Sequence, residues 1–360
     1  MSRDSTGIPG SAMGPGPVLP PMFARYRDWV EDELAASVPV PEGVDPYVLL
    51  RYHLGWVDRH GTPAESPISQ GKALRPTLCL FACEALADDP TPAVPAAAAL
   101  ELIHNFSLIH DDIQDQDKER RHQPSVWAIW GVPKALVAGN AMQAVGDATM
   151  LNTANHQVPA ETVIRVSQLL TESYLEMIQG QCLDLTFESS TAVSADDYLE
   201  MISYKTGALI RTGMEIGALL AAGDVNSVES FSRFGSYLGR AFQIRDDFLG
   251  IWGDSHFTGK PEVSDIRRRK KSFPVVFAFS QTRGVAHAEL LRIYGQEALD
   301  DEDIGRVLTI LEDVGAREQS QLLTEASAEG ALEALESVSL PTWARSEAEA
   351  LVEFLAQRQY

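Results

Sequence analysis

The chain has 360 residues, 45% hydrophobic and 22% charged, the balance of an ordinary globular protein rather than a disordered or fibrous one. Acidic residues outnumber basic ones by 51 to 29, for a formal net charge of -22. That excess excludes the basic footprint nucleic acid demands and the Lys/Arg clusters that dock proteins on anionic lipid.

From the start, residues 1–21 ("MSRDSTGIPGSAMGPGPVLPP") are rich in Gly and Pro and hold no apolar core. They are neither signal peptide nor anchor, and a disordered tail is expected there. Residues 22–360 then read as one all-helical domain, because helical spacing recurs along their whole length. Apolar residues return every three or four positions in "FARYRDWVEDELAASV", "LRPTLCLFACEAL", "VIRVSQLLTESYLEMIQGQCLDL", "YLEMISYKTGALIRTGMEIGALLAA", "FSRFGSYLGRAFQIRDDFLGIW" and "GALEALESV". Short breakers such as "ADDPTPAVP" and "ESSTAVSADD" separate them. No Val/Ile/Thr run bounded by hairpin turns suggests a strand. The fold class is therefore all-α, a helical bundle. The most apolar stretch, "AVPAAAALELIHNFSLI", is interrupted by Pro95, Glu101 and His104, which argues against membrane insertion. Cys79, Cys83 and Cys182, odd and sparse, suit reduced thiols in a cytoplasmic protein, with Cys79 and Cys83 in the core.

"LIHDDIQDQDKERRHQPSVW" raises the functional question. At about 100° per residue, His104, Leu108, Asp111 and Asp115 share one helical line, with Asp112 beside it. Carboxylates on an otherwise apolar stripe repel one another unless a cation binds. Oxygen donors in this pattern suit Mg²⁺, completed by phosphate oxygens and water. A second stripe carries Gln243, Asp247, Gly250 and Asp254, with Asp246 adjacent. Two acid-bearing apolar helices could hold several ions in one cavity.

The ordered motifs "GKALRP", "LIHDDIQD", "RRHQPSVW", "GDATM", "GQCLD", "YKTGALI", "FQIRDDFLGIWGD" and "TGKPEVSDIRRRKKSFP" resemble those of the trans-isoprenyl diphosphate synthases, or polyprenyl synthetases, from about Leu49 to Leu332. The resemblance implies that family's isoprenoid synthase fold around a deep central cavity, and a homodimer. It implies Mg²⁺-dependent condensation of an allylic diphosphate with isopentenyl diphosphate, with three ions per site. Carried over residue by residue, Asp111, Asp112, Asp115, Asp246 and Asp247 would bind metal. Arg120, Lys205 and Lys260 would grip the allylic diphosphate, and Thr206 and Gln243 would line the reacting centre. Lys72, Arg75, His104 and Arg121 would hold isopentenyl diphosphate. Gln181 and Asp184 would support them. The run Arg267 to Lys271 reads equally well as a solvated loop and is left outside the site.

The chain departs from the family pattern at Gly250, where a third aspartate would complete the second motif, leaving open whether Asp254 substitutes. Gln70 replaces a glycine, and Ser125 a threonine. Product length in this family follows cavity depth beneath Asp111. Ser107, on the face of Asp111, leaves room there. Phe106, by resemblance, forms a partial floor, as in geranylgeranyl diphosphate synthases. A C20 product is expected, with C15 next. Two other functions fit less well. A terpene cyclase would not need the four basic isopentenyl-site residues, and a non-catalytic partner subunit would not need the first aspartates.

Overall fold

The computed structural model describes residues 19–40, 46–64, 73–121, 123–190, 192–253 and 263–357. The proposed tail up to residue 18, together with Gln70, Lys72, Asp254 and Lys260, lies outside the described residues. Within them the protein is almost wholly helical.

The chain enters through α1 (Pro21–Ser37) and α2 (Tyr47–His53), then turns into α3 (Leu74–Ala87) through Ala73, held at φ 45°. Next comes α4 (Val94–Gln114), with Pro95 in its first turn, where the missing N–H is not needed. Its first half is apolar all round: Ala96–Ala99, Leu100, Leu102 and Ile103 are fully buried. A helix of that kind belongs at the centre of a bundle. By length and composition residues 91–114 could cross a bilayer, yet this helix sits inside the protein. It packs along α6 (Val132–Leu151) and against α3.

The long α7 (Ala160–Ser189) and short α8 (Ala195–Ile202) follow, the latter opened by a capping box between Ser194 and Asp197. α8 runs through a π-turn, Ser203–Gly207, into α9 (Ala208–Leu220). α10 (Val225–Trp252) starts at Asp224, whose carboxylate accepts from the N–H groups of Asn226 and Ser227 at 2.9 and 3.1 Å. Beyond it come α11 (Ser264–Arg267), α12 (Phe273–Gln281), α13 (Gly284–Tyr294), α14 (Asp301–Asp313), α15 (Ala316–Ala334) and α16 (Thr342–Gln357). α9 packs on α3 and α10, and α15 covers the far side of α10. A main core spans α1 to α10 and α15 to α16, and a satellite core under α11 to α15 is built on Ile266, Val275, Ile293 and Leu311.

One element departs from the all-helical expectation. After α4, β1 (Glu119–Arg120) and β2 (Gln123–Pro124) pair antiparallel, Glu119 opposite Pro124 and Arg120 opposite Gln123. No alternating apolar pattern announces two-residue strands. The tight turn forms because Arg121 accepts a left-handed backbone at φ 52°. The chain then folds back through α5 (Val126–Trp130), its entry pinned by Ser125 Oγ and Trp127 Nε1, which donate to the Asp117 carbonyl at 2.7 and 2.8 Å.

Candidate active site

Two charged groups lie along α4, seven residues or about 10 Å of helix rise apart. At the C-terminal end stand Asp111, Asp112 and Asp115. Asp111 feels both Lys205 and the carboxylates of Asp115 and Asp184. Burial pushes its carboxyl up to about 6, Lys205 opposing the shift and Asp115 adding to it. Asp112 and Asp115 are also raised, chiefly by burial. Asp112 is 1% exposed. Arg120 donates to its Oδ1 through Nε at 2.7 Å and approaches it with Nη2 at 2.6 Å. The other oxygen of Asp112 is buried without a hydrogen-bond partner.

Lys205 reaches this group from the π-turn, an irregularity that often marks functional sites. The turn is clamped from both sides. A Cβ on Gly180 of α7 would lie 2.2 Å from the Lys205 amide nitrogen, and one on Gly239 of α10 would lie 2.9 Å from the Gly207 Cα. Only glycine permits so close a backbone approach. Lys205 Nζ then pairs with Asp184, one turn beyond Gly180 on the same helix. Gln181 joins α7 to α4 by donating to the Gln114 side chain at 2.7 Å. The supporting pair therefore has a definite task, holding Lys205 over the first acids.

The second group is basic. Arg75 projects from the first turn of α3, His104 from α4 and Arg121 from the hairpin turn. Glu101, 9% exposed, supplies countercharge to both arginines. Burial pulls the Arg75 guanidinium down to about 10, and burial with Arg75 and Arg121 holds His104 well below its ordinary value. His104 is therefore neutral at pH 7. His53, from α2, is pulled down to about 3 by burial and by Arg121 and Arg120. Arg75 Nε, His53 Nε2 and Asn105 Oδ1 are all buried without hydrogen-bond partners. Buried donors left open beside positive charge make an anion site.

A polar chain completes the arrangement. Thr206 Oγ1 donates to Gln243 Oε1 at 2.7 Å, and Gln243 Nε2 donates to Asp247 Oδ1 at 3.1 Å. Asp247 is fully buried and also accepts from Lys270 Nζ at 2.9 Å, Phe273 N at 3.0 Å and the Tyr198 hydroxyl. Both its oxygens are thus occupied. The metal-ligand role expected of Asp247 gives way to that of an anchor for α10, α8 and α12, and Asp246 is left as the ligand-type carboxylate of this cluster.

The basic run also divides. Arg268, 62% exposed, forms a bidentate pair with Asp117 at 2.8 and 3.2 Å. Lys270 and Lys271 instead turn inward, Lys271 Nζ lying 4.5 Å from the Tyr294 ring centroid. Lys270 was left outside the expected site, yet it contacts Asp247 directly. Sequence reasoning also passed over His53, Glu101, Asn105 and Tyr198. The helical register of Glu101 and Asn105 with His104 is a signal that could have found those two. Beneath the first acids, Phe106 is buried, its ring edge-on to Tyr174 at 6.2 Å and to His110 at 5.8 Å. Ser107 donates to the His104 carbonyl at 2.8 Å.

Among the described residues no three Asp, Glu, His or Cys side chains are gathered to ligate an ion unaided. The donor set still fits a hard cation completed by phosphate. Mg²⁺ needs only one or two protein carboxylates, and the orphaned Asp112 oxygen with the desolvated Asp111 carboxyl supplies them.

A family model described as polyprenyl synthetase matches residues 59–311. The chain belongs to this family. It is 36% identical over 321 residues to a (2E,6E)-farnesyl diphosphate synthase of Mycobacterium tuberculosis, the match covering 88% of each chain. It is 37% identical over 285 residues to a geranylgeranyl diphosphate synthase of the same organism, covering 79% of each. The crystal structure of a polyprenyl synthetase from Streptomyces coelicolor A3(2) superposes with a TM-score of 0.85 at 34% identity, over 93% of this chain and 98% of that one. The fold is the all-α isoprenoid synthase fold, and the protein is a prenyltransferase of the short-chain prenyl diphosphate synthase class.

Proposed function

We propose that this polyprenyl synthetase condenses an allylic diphosphate with isopentenyl diphosphate, head to tail, to give a trans-prenyl diphosphate, C20 first and C15 next. One observation carries the reading: a buried acidic group and a buried basic group share one face of α4, about 10 Å of rise apart. Two diphosphates can then be bound differently on either side of one reacting centre. Arg75, Arg121 and neutral His104 would take isopentenyl diphosphate directly, Arg75 Nε and His53 Nε2 offering unfilled donors. Lys72, outside the described residues, would join them.

Asp111, Asp112, Asp115 and Asp246 would hold Mg²⁺, in up to three ions, and the bound metal would neutralise the allylic diphosphate so that it can leave. Arg120, already carrying Asp112, and Lys205, held by Asp184, would orient the same diphosphate, with Lys260 completing the grip. Thr206 and Gln243, their dipoles fixed through Asp247, would face the allylic carbon as positive charge develops there. Phe106, braced by Tyr174, would set the depth available to the growing chain. A terpene cyclase would leave the basic group without a task.

The reading extends to a cytoplasmic homodimer that binds Mg²⁺. Three free cysteines suit a reducing compartment. α7 exposes Ile164, Leu175, Ile178 and Leu185 on one stripe at helical spacing, which suits a second copy. The test supplies Mg²⁺, isopentenyl diphosphate and, separately, C5, C10 and C15 allylic diphosphates, then identifies products before and after phosphatase. Prenyl alcohols released only by phosphatase support the proposal. Hydrocarbons formed without isopentenyl diphosphate would replace it with cyclisation.

A further inference from the structure

The two acid clusters share a spacing but not a composition. Asp111, Asp112 and Asp115 form the first, whereas Asp246 and Asp247 are followed at the third position by Gly250. The space above Gly250 is not empty. A Cβ there would lie 2.4 Å from Cγ and Oδ2 of Asp265 and 2.6 Å from its Oδ1. Asp265 belongs to α11 and is buried, its side chain turned inward onto α10. Its backbone carbonyl accepts from the Lys270 N–H at 2.9 Å, and the neighbouring Ser264 Oγ donates to the Gly250 carbonyl at 3.4 Å. The segment is thereby fastened onto α10 at Gly250. Lys270 Nζ sits between two carboxylates, 2.9 Å from Asp247 Oδ1 and 3.8 Å from Asp265 Oδ2.

We propose that Asp265 is the third carboxylate of the second acid cluster, entering from α11 through the gap at Gly250. There it positions Lys270 and adds the negative charge that a cation beside Asp246 requires. This rests on the prenyl-transfer reading, because the cation is the one that reading calls for. Asp265 acts as a positioning residue. Gly250 acts by having no side chain, since any Cβ would collide with the Asp265 carboxylate. Glycine in a helix interior is otherwise a weakness that alanine repairs. A merely structural Gly250 therefore predicts a more stable Gly250→Ala variant, and the proposal predicts a less stable one.

The experiment uses the full chain. Mg²⁺ is titrated calorimetrically into protein saturated with inorganic diphosphate, and melting is followed in parallel. The variants are Asp265→Asn, which keeps shape and removes charge, Gly250→Ala, and the exchange Gly250→Asp with Asp265→Gly. Asp265→Asn is expected to weaken Mg²⁺ uptake about tenfold or more while melting close to the parent. Gly250→Ala should melt lower and bind Mg²⁺ more weakly, and the exchange should recover uptake to within about threefold of the parent. An Asp265→Asn protein that takes up Mg²⁺ like the parent overturns the proposal, as does a Gly250→Ala protein that is more stable and binds normally. Parent protein that takes up no Mg²⁺ with diphosphate overturns the prenyl-transfer reading and the cation role with it. A normal parent with an indifferent Asp265→Asn refutes the Asp265 role alone.

Discussion

Replacing Asp111 by asparagine should stabilise the metal-free protein at neutral pH while destroying its response to Mg²⁺. Burial raises the folded-state pKa of Asp111 from 3.8 to about 6. A shift of about two units corresponds to about 3 kcal/mol, an order-of-magnitude figure, since each unit is worth about 1.4 kcal/mol. The sign follows from proton counting. Between the two pKa values the folded protein holds a proton that the unfolded chain has lost, so stability falls as pH rises from about 4 to about 6. Above pH 6 the penalty is fully present. Asparagine keeps the size and never ionises. Some of the gain is lost with the attraction to Lys205, so about 1–3 kcal/mol is expected.

The assay is urea unfolding of parent and Asp111→Asn in EDTA at pH 7.5 and pH 4.5. Comparing two proteins cancels the other titrating groups, notably His53 and His104, whose lowered values destabilise any variant on acidification. The variant should be the more stable at pH 7.5, and the advantage should vanish at pH 4.5. Adding Mg²⁺ and inorganic diphosphate should then stabilise the parent by mass action and leave the variant behind. A variant less stable than the parent in EDTA at pH 7.5, or an advantage that ignores pH, would refute the argument that desolvated charge dominates this cluster.

Other outcomes follow from the same geometry. Phe106→Ala removes a ring packed against Tyr174 and His110 and should lengthen the product by at least one C5 unit, read by chromatography of the dephosphorylated alcohols; an unchanged length places the floor elsewhere. Tyr198→Phe leaves Asp247 one donor short and should cost about 1–3 kcal/mol in urea unfolding, with kcat falling more than KM changes. His53→Gln should lessen the loss of stability between pH 6.5 and 4. The folded pKa of about 3 lies below the unfolded value, so stability is full above pH 6.5 and drains as pH falls. Leu175→Asp with Ile178→Asp should give a monomer by analytical ultracentrifugation if the α7 stripe meets a second copy.

What was legible in the sequence, and what was not, divides along physical lines. Helix type and core membership came from periodicity, because a buried helix cannot hide its apolar spacing. The reading of α4 as a core helix followed from its alanines and leucines, and Asp111, Asp115 and His104 fall on one line because α-helical geometry puts them there. The short hairpin was not legible, since it rests on the left-handed backbone of one arginine and not on any pattern of side chains. The basic run failed for a related reason. Composition could report five adjacent cations, but not that the chain reverses within them, sending Arg268 outward to Asp117 and Lys270 inward to Asp247.

Asp247 and Gly250 show the limit most clearly. Sequence spacing made one a metal ligand and the other a defect. Both readings count carboxylates along a single helix. The structure counts them in a volume, where Asp247 spends its oxygens on four donors drawn from three other segments and its own helix. The place above Gly250 is filled from α11. A cation answers to the charge within a few ångströms of it, whichever helix supplies that charge. An acid missing from a motif is therefore evidence of lost function only when no neighbouring segment has been drawn into the gap.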